Sequence, residues 1–252
     1  MNSFKQVLAV IVLFLGVIPY SYSQKLELIS KTMSGDAAGG SGGFFAYGLG
    51  ISHDGRYIVY SSLSPNIVSG DTNKWGASTD YYGPAPDVFL NDRLTKKTIR
   101  VSVMPDGSEL KQSGSYHPSI SADGCMIAYE SDGYDFPGVQ RPGGMNIPNI
   151  FVYNTQFKRP ELISISPNGD PADHMSINPR ISANGKYVAF VSWATNLLLN
   201  IPGREIINYY MSDINAKENY LVTVTMDGKH YLDPSGNIGD DRLSISADGR
   251  YV

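Results

Sequence analysis

The sequence predicts an all-β fold, a β-propeller of four-stranded blades, and three observations carry that prediction. A turn motif recurs at intervals of 69, 61 and 64 residues, measured between Asp54, Asp123, Asn184 and Asp248. A second module, 21 residues long, occurs three times without a gap. The composition, with 26 Gly, 15 Pro, 17 Tyr and 17 % charged residues, is that of many turns and aromatic strands, and no stretch after residue 23 has the period of an amphipathic helix.

At the N-terminus an unbroken apolar run from Val7 to Ile18 follows the cation Lys5 and closes on Pro19 and Ser21-Tyr22-Ser23. That run falls short of the roughly 20 residues a membrane-spanning helix needs, so residues 1–23 read as a signal peptide cleaved before Gln24. No cysteine stands near the cleavage point to take a lipid, and the expected location is periplasmic or extracellular. Loss of Lys5 with that segment moves the formal charge from −4 to about −5. Without a basic stripe to hold phosphates, nucleic acid is not an expected partner. Cys125 is the one cysteine, which excludes an intrachain disulfide, and its place on a strand with no aligned histidine makes it an inert thiol rather than a nucleophile.

The propeller is expected over residues 24–252. It opens with a lone outer strand at 26–33, because "ELISKTMSG" from Glu27 aligns without gaps on "ELISISPNG" from Glu161. Blade 1 covers about 49–103, blade 2 about 118–165 and blade 3 about 179–224, and a fourth blade begins at 243. Strands a and b of each blade come from "LGISHDGRYIVYSS", "PSISADGCMIAYES" and "PRISANGKYVAFVS", and "LSISADGRYV" starts the next. Their Asp-Gly or Asn-Gly pairs supply the positive φ angles of tight hairpin turns. Strands c and d come from "DVFLNDRLTKKTIRVSVMPDG", "NIFVYNTQFKRPELISISPNG" and "NYYMSDINAKENYLVTVTMDG". A repeat of this size buries its faces only against neighbouring repeats. A lone outer strand and a half-started blade each call for missing strands, so the expectation is an N-terminal piece of a larger propeller.

The motifs "PSISADG", "KYVAFVS", "NIVSGDTN", "DVFLND" and "TIRVSV" resemble the repeats of TolB-type, WD40-like (PD40) propellers of exported bacterial proteins. The resemblance runs from Gln24 to Val252. One departure is that the family's periplasmic namesake carries an α/β domain ahead of its propeller, where residues 1–23 are read here as a signal peptide. Similar propellers also stand before α/β-hydrolase domains in prolyl-oligopeptidase-like peptidases, and others hold glycosidase sites.

Connection lengths locate the functional face. The a–b and c–d turns are constant, whereas the aligned b-to-c spacings are 33, 26 and 24 and the d-to-a spacings 16, 15 and 20. Adjacent strands are antiparallel, so all the variation emerges at one rim, where binding residues usually sit. The first long loop presents Trp75, Tyr81 and Tyr82, the second Phe136 and Arg141, the third Trp193 and Arg204. Aromatic plates among amides and charges suit a peptide, a partner protein or a glycan. The other reading of the same rings is that they pin the loops to neighbouring blades.

"DTNKWG" from Asp71 begins like an EF-hand loop but fails at Trp75 and Tyr82. An irregular calcium site using Asp71, Asn73 and Asp87 competes with plain Asx-turn hydrogen bonding; no other cofactor is expected. "GGSGG" from Gly39 matches a nucleophile elbow in pattern but lies in a low-complexity run instead of between a strand and a helix. His53, His117, His174 and His230 occupy different repeat positions and read as solvated surface, and Asp240 and Asp241 read as a turn-capping pair. The expected function is an exported, non-catalytic binding or scaffold propeller. The alternative is the N-terminal propeller of a hydrolase whose catalytic part lies beyond residue 252.

Overall fold

The structure, a computed structural model, describes residues 26–38, 48–74, 84–111, 113–133, 136, 139, 147–199, 207–224 and 243–252. Among these lie twelve strands: β1 (Leu49–Ile51), β2 (Tyr57–Ser62), β3 (Asp87–Asp92), β4 (Lys97–Arg100), β5 (Ser115–Ile120), β6 (Met126–Ser131), β7 (Asn149–Asn154), β8 (Arg159–Leu162), β9 (Ser176–Ile181), β10 (Tyr187–Ser192), β11 (Asn208–Asp213) and β12 (Glu218–Leu221). They form three antiparallel four-stranded sheets in simple meander order, β1–β4, β5–β8 and β9–β12. The fold is all-β, as the repeats predict.

Burial follows from the position of each strand in its blade. Inner strands are buried on both faces in Met-Ile-Ala-Tyr-Glu-Ser of β6 and Asn-Ile-Phe-Val-Tyr-Asn of β7, whereas β11 alternates buried and half-buried residues. The outer strands β4 and β12 alternate exposed and half-buried residues. Between blades the layers are apolar. Val59, Val88, Leu90 and Val101 of the first blade meet Ile127, Tyr129 and Phe151 of the second. Ala128, Ile150, Val152 and Ile163 of the second meet Ile181, Val188, Phe190 and Tyr210 of the third. One cross-strand ring pair recurs in every blade: Tyr60 with Phe89, Tyr129 with Phe151 and Phe190 with Tyr210, at centroid separations of 5.7, 5.8 and 5.7 Å.

Neighbouring blades are also joined through their backbones. The His53 amide donates to the Ala122 carbonyl, the Ala122 amide to that of Ala183, and the Asn184 amide to that of Ala247, at 2.8, 2.9 and 3.0 Å. At the opposite rim Ser115 donates to the Pro86 carbonyl and Ser176 to that of Pro148, at 2.7 and 2.8 Å. A left-handed residue stands just before or within the first strand of each blade, Gly48, His117 and Asn178 at φ 89°, 47° and 55°. In the second and third blades a register shift falls there, the mark of a bulge.

The N-terminal segment keeps the alignment predicted for it without forming a strand. Lys31 bridges Ala37 just as Val103 bridges Glu109 and Ile165 bridges Pro171. Ile29 lies against Tyr60, Ile67, Phe89 and Ile58 on the open flank of the first blade. It thus meets this blade as Val101 meets the second and Ile163 the third. Beside it is a groove of about 790 Å³ lined by Leu28, Ile29, Leu49, Ile51, Ile58 and Tyr60.

Candidate functional site

The b–c and d–a connections leave one rim, and the start of every third strand is anchored there in the same way. Ser102 Oγ donates to Asp87 Oδ1 at 2.5 Å, Ser164 Oγ to Asn149 Oδ1 at 2.9 Å, and Thr223 Oγ1 to Asn208 Oδ1 at 3.0 Å. The same hydroxyls accept the amides of Val88, Ile150 and Tyr209. A side chain with a carbonyl-type oxygen is all this anchor requires.

The first blade places a carboxylate at that position and collects more charge around it. Arg100, at the end of β4, directs Nη1 to Glu109 at 2.8 Å, Asp87 at 3.2 Å and Asp71 at 3.6 Å. Its Nη2 donates to the Gly70 carbonyl at 3.1 Å. Glu109 also accepts from the Thr72 and Asn73 amides and from Thr72 Oγ1, at 2.7, 3.1 and 2.6 Å. Asn73 donates through Nδ2 to Asp87 Oδ2 at 3.1 Å and to the Ser113 carbonyl at 3.4 Å. Oxygens of Asp71, Asp87 and Glu109 all lie within 4.8 Å of one another.

Burial sets the electrostatics of this group. It pushes the Asp87 carboxyl up to about 7 and that of Asp71 to about 6, against the pull of Arg100. Burial also opposes the charge on Glu109, but hydrogen bonds from Thr72 and Arg100 hold its pKa below the ordinary value. For Arg100 burial is outweighed by Asp87, Glu109 and Asp71, and the guanidinium is raised. Three buried oxygens here, Asp71 Oδ1, Asn73 Oδ1 and Ser113 Oγ, have no hydrogen-bond partner.

The sequence-predicted metal residues Asp71, Asn73 and Asp87 therefore do come together, and two that the pattern search missed, Glu109 and Arg100, join them. Their signal was a departure from the repeat: Arg100 aligns with Leu162 and Leu221, and Asp87 with Asn149 and Asn208. Of the predicted ligand plates, Trp75, Tyr81, Tyr82, Arg141 and Arg204 lie outside the described residues. Trp193 is half-buried at the loop rim, its amide bonded to the Met175 carbonyl. Phe136 corrects the expectation for its loop. It is 6 % exposed and meets Phe151 edge-on at 4.6 Å, so it fastens the loop to the core and offers no free face.

His117 is a second correction. It is half-buried with Nδ1 2.9 Å from Glu130, whose other oxygen accepts the Asn178 amide at 2.6 Å. The left-handed bulge turns it inward, a feature that Pro118 in the sequence does not announce. His53 is exposed as predicted, while His230, Asp240, Asp241 and the "GGSGG" run lie outside the described residues. Cys125 is an exposed free thiol whose pKa is raised by partial desolvation and by the neighbouring Asp123, which keeps it in the less nucleophilic thiol form.

Three sheets laid face to face in meander order, joined at both rims, are blades of a β-propeller. The chain is similar to TolB-type propellers. No protein-family model matches it and no curated protein does. Among solved structures, the chain matches one named as a TolB from Agrobacterium tumefaciens at 16 % identity and a TM-score of 0.42, over 72 % of this chain and 50 % of that one. It matches the β-propeller domain of the Trilobed protease from Pyrococcus furiosus at 12 % and 0.40, over 71 % and 44 %. It matches the tricorn protease at 15 % and 0.43, over 81 % and 19 %. The chain thus spans half of the first structure and less of the others.

Proposed function

We propose that the protein is an exported, non-catalytic propeller that holds a peptide, a partner protein or a glycan on its loop-rich rim. The observation that carries this reading is the difference between the two rims. On one, every a–b turn repeats a single hydrogen bond, from Ser52 to Asp54, Ser121 to Asp123, Ser182 to Asn184 and Ser246 to Asp248, at 2.6, 2.6, 2.7 and 2.8 Å. On the other, the connections differ in length and composition from blade to blade. A scaffold that holds one rim constant and varies the other has its recognition surface on the varied one.

Export rests on the apolar run ahead of Gln24, and among the described residues no helix is long and apolar enough to cross a membrane. N-terminal sequencing of the protein recovered outside the cytoplasm is expected to begin at Gln24.

Screening the full chain on peptide and glycan arrays tests the binding role. We expect Trp75→Ala, Tyr81→Ala and Trp193→Ala each to weaken the retained ligand at least tenfold, about 1.4 kcal/mol. His53→Ala, on the constant rim, leaves binding unchanged. Loop-rim variants that bind as tightly as the parent would remove the proposal.

A further inference from the structure

We infer that Asp71, Asn73, Asp87 and Glu109, gathered at the loop rim of the first blade, form a calcium site. This goes beyond the binding role, since the ion would fasten the loops and need not touch the ligand. The carboxylate oxygens lie within 4.8 Å of one another, the width of a calcium shell whose ligands stand about 2.3–2.6 Å from the ion. Three carboxylates face one guanidinium, so full ionisation of the cluster would leave two negative charges without a counter-charge in a largely buried place, where uncompensated charge is costly.

Two further observations point to a ligand and are independent of the acidic count. Asn73 is 6 % exposed and its Oδ1 accepts no hydrogen bond, although the nitrogen of the same amide donates to Asp87. The unpaired oxygen thus belongs to an amide whose nitrogen, 3.1 Å from Asp87 Oδ2, already touches the carboxylate cluster. Asp71 Oδ1, on a side chain 3 % exposed, accepts no hydrogen bond and has only the 3.6 Å ion pair with Arg100, and Ser113 Oγ is buried without a hydrogen-bond partner. Oxygens that lack donors are what a hard cation takes as ligands.

The other blades serve as an internal control. Asn149 and Asn208 perform the structural task of Asp87 with a neutral amide, and Leu162 and Leu221 stand where Arg100 does. The anchor needs no charge, so the charge of Asp87 has a different purpose. A mixed set of carboxylate and amide oxygens drawn from the chain itself suits calcium better than magnesium, which keeps several waters of its own. Asp71 and Asn73 belong to the b–c loop and Glu109 to the d–a loop, so an ion here would tie two of the variable connections to the start of β3.

The test is calorimetric titration of the chelator-treated full chain with calcium chloride, alongside thermal unfolding with and without the ion. We expect one calcium bound per chain, a rise in Tm with calcium, and at least tenfold weaker binding of magnesium. Asp71→Asn removes a charge and no hydrogen bond, so it keeps the parent circular dichroism spectrum while weakening calcium binding at least tenfold. Glu109→Gln keeps one acceptor oxygen for the Thr72 and Asn73 amides and is expected to weaken calcium binding likewise. A parent chain that neither takes up calcium nor gains thermal stability from it overturns the inference, as do variants that bind calcium like the parent. In that event Arg100 is the sole cation of the cluster.

Discussion

Arg56 grips Asp92 with two parallel bonds, Nε to Oδ1 at 3.0 Å and Nη2 to Oδ2 at 2.7 Å, and so clamps the first a–b turn to the end of β3. That clamp, with the Leu94 and Thr95 amides, holds the Asp92 carboxyl well below the usual carboxylate range. A folded-state pKa below the unfolded value of about 3.9 gives stability that is present above that pH and lost as pH falls toward the folded value. Asp92→Asn, the residue of the second blade at this position, is expected to make stability fall less steeply below about pH 4, measured as urea midpoints against pH. A second residue-scale comparison isolates a contact between blades. Gly124 has φ 74° and a side chain there would meet the Tyr57 ring of the preceding blade, whereas Gly107 has φ 84° with open space around it. Both Ala variants incur the left-handed strain of roughly 1–2 kcal/mol. Gly124→Ala should lose more, by about 1 kcal/mol or above, because it also displaces the ring; paired denaturation curves check it.

At the scale of elements, the first strands of the blades are one sequence in several environments. Ile181 is 6 % exposed against the second blade, while its equivalent Ile51 is 59 % exposed. Ile181→Ala should cost about 2–5 kcal/mol and Ile51→Ala under about 1 kcal/mol, read from equilibrium unfolding. The strands themselves were legible in the sequence because Asp-Gly turns and apolar runs are local signals. The register of the N-terminal segment was legible too, since Lys31 and Ala37 bridge where the alignment on Ile165 and Pro171 places them. The inward bulges at His117 and Asn178 were not. They depend on contacts with the neighbouring blade, such as the Asn178 amide on Glu130 at 2.6 Å, and no local rule encodes those. Part of the acidic cluster was legible from the oxygen spacing in one loop, but Glu109 joins it from another loop through folding alone.

For the molecule as a whole, the open flank of the first blade sets solution behaviour. Leu28, Leu49 and Ile51 are 47 %, 74 % and 59 % exposed along a groove of about 790 Å³, a patch of the kind that attracts apolar probes. The native protein is expected to bind anilinonaphthalene sulfonate there, and Leu49→Asn with Ile51→Asn to abolish the fluorescence while the circular dichroism stays unchanged. The shape of that hollow has already been cast elsewhere in the chain. Val59, Val88 and Leu90 press on the second blade, and Ala128, Ile150 and Val152 on the third. Ile29 and Ala38 begin the same kind of layer on the first blade, so one recipe of small and branched hydrocarbon is read three times along the chain.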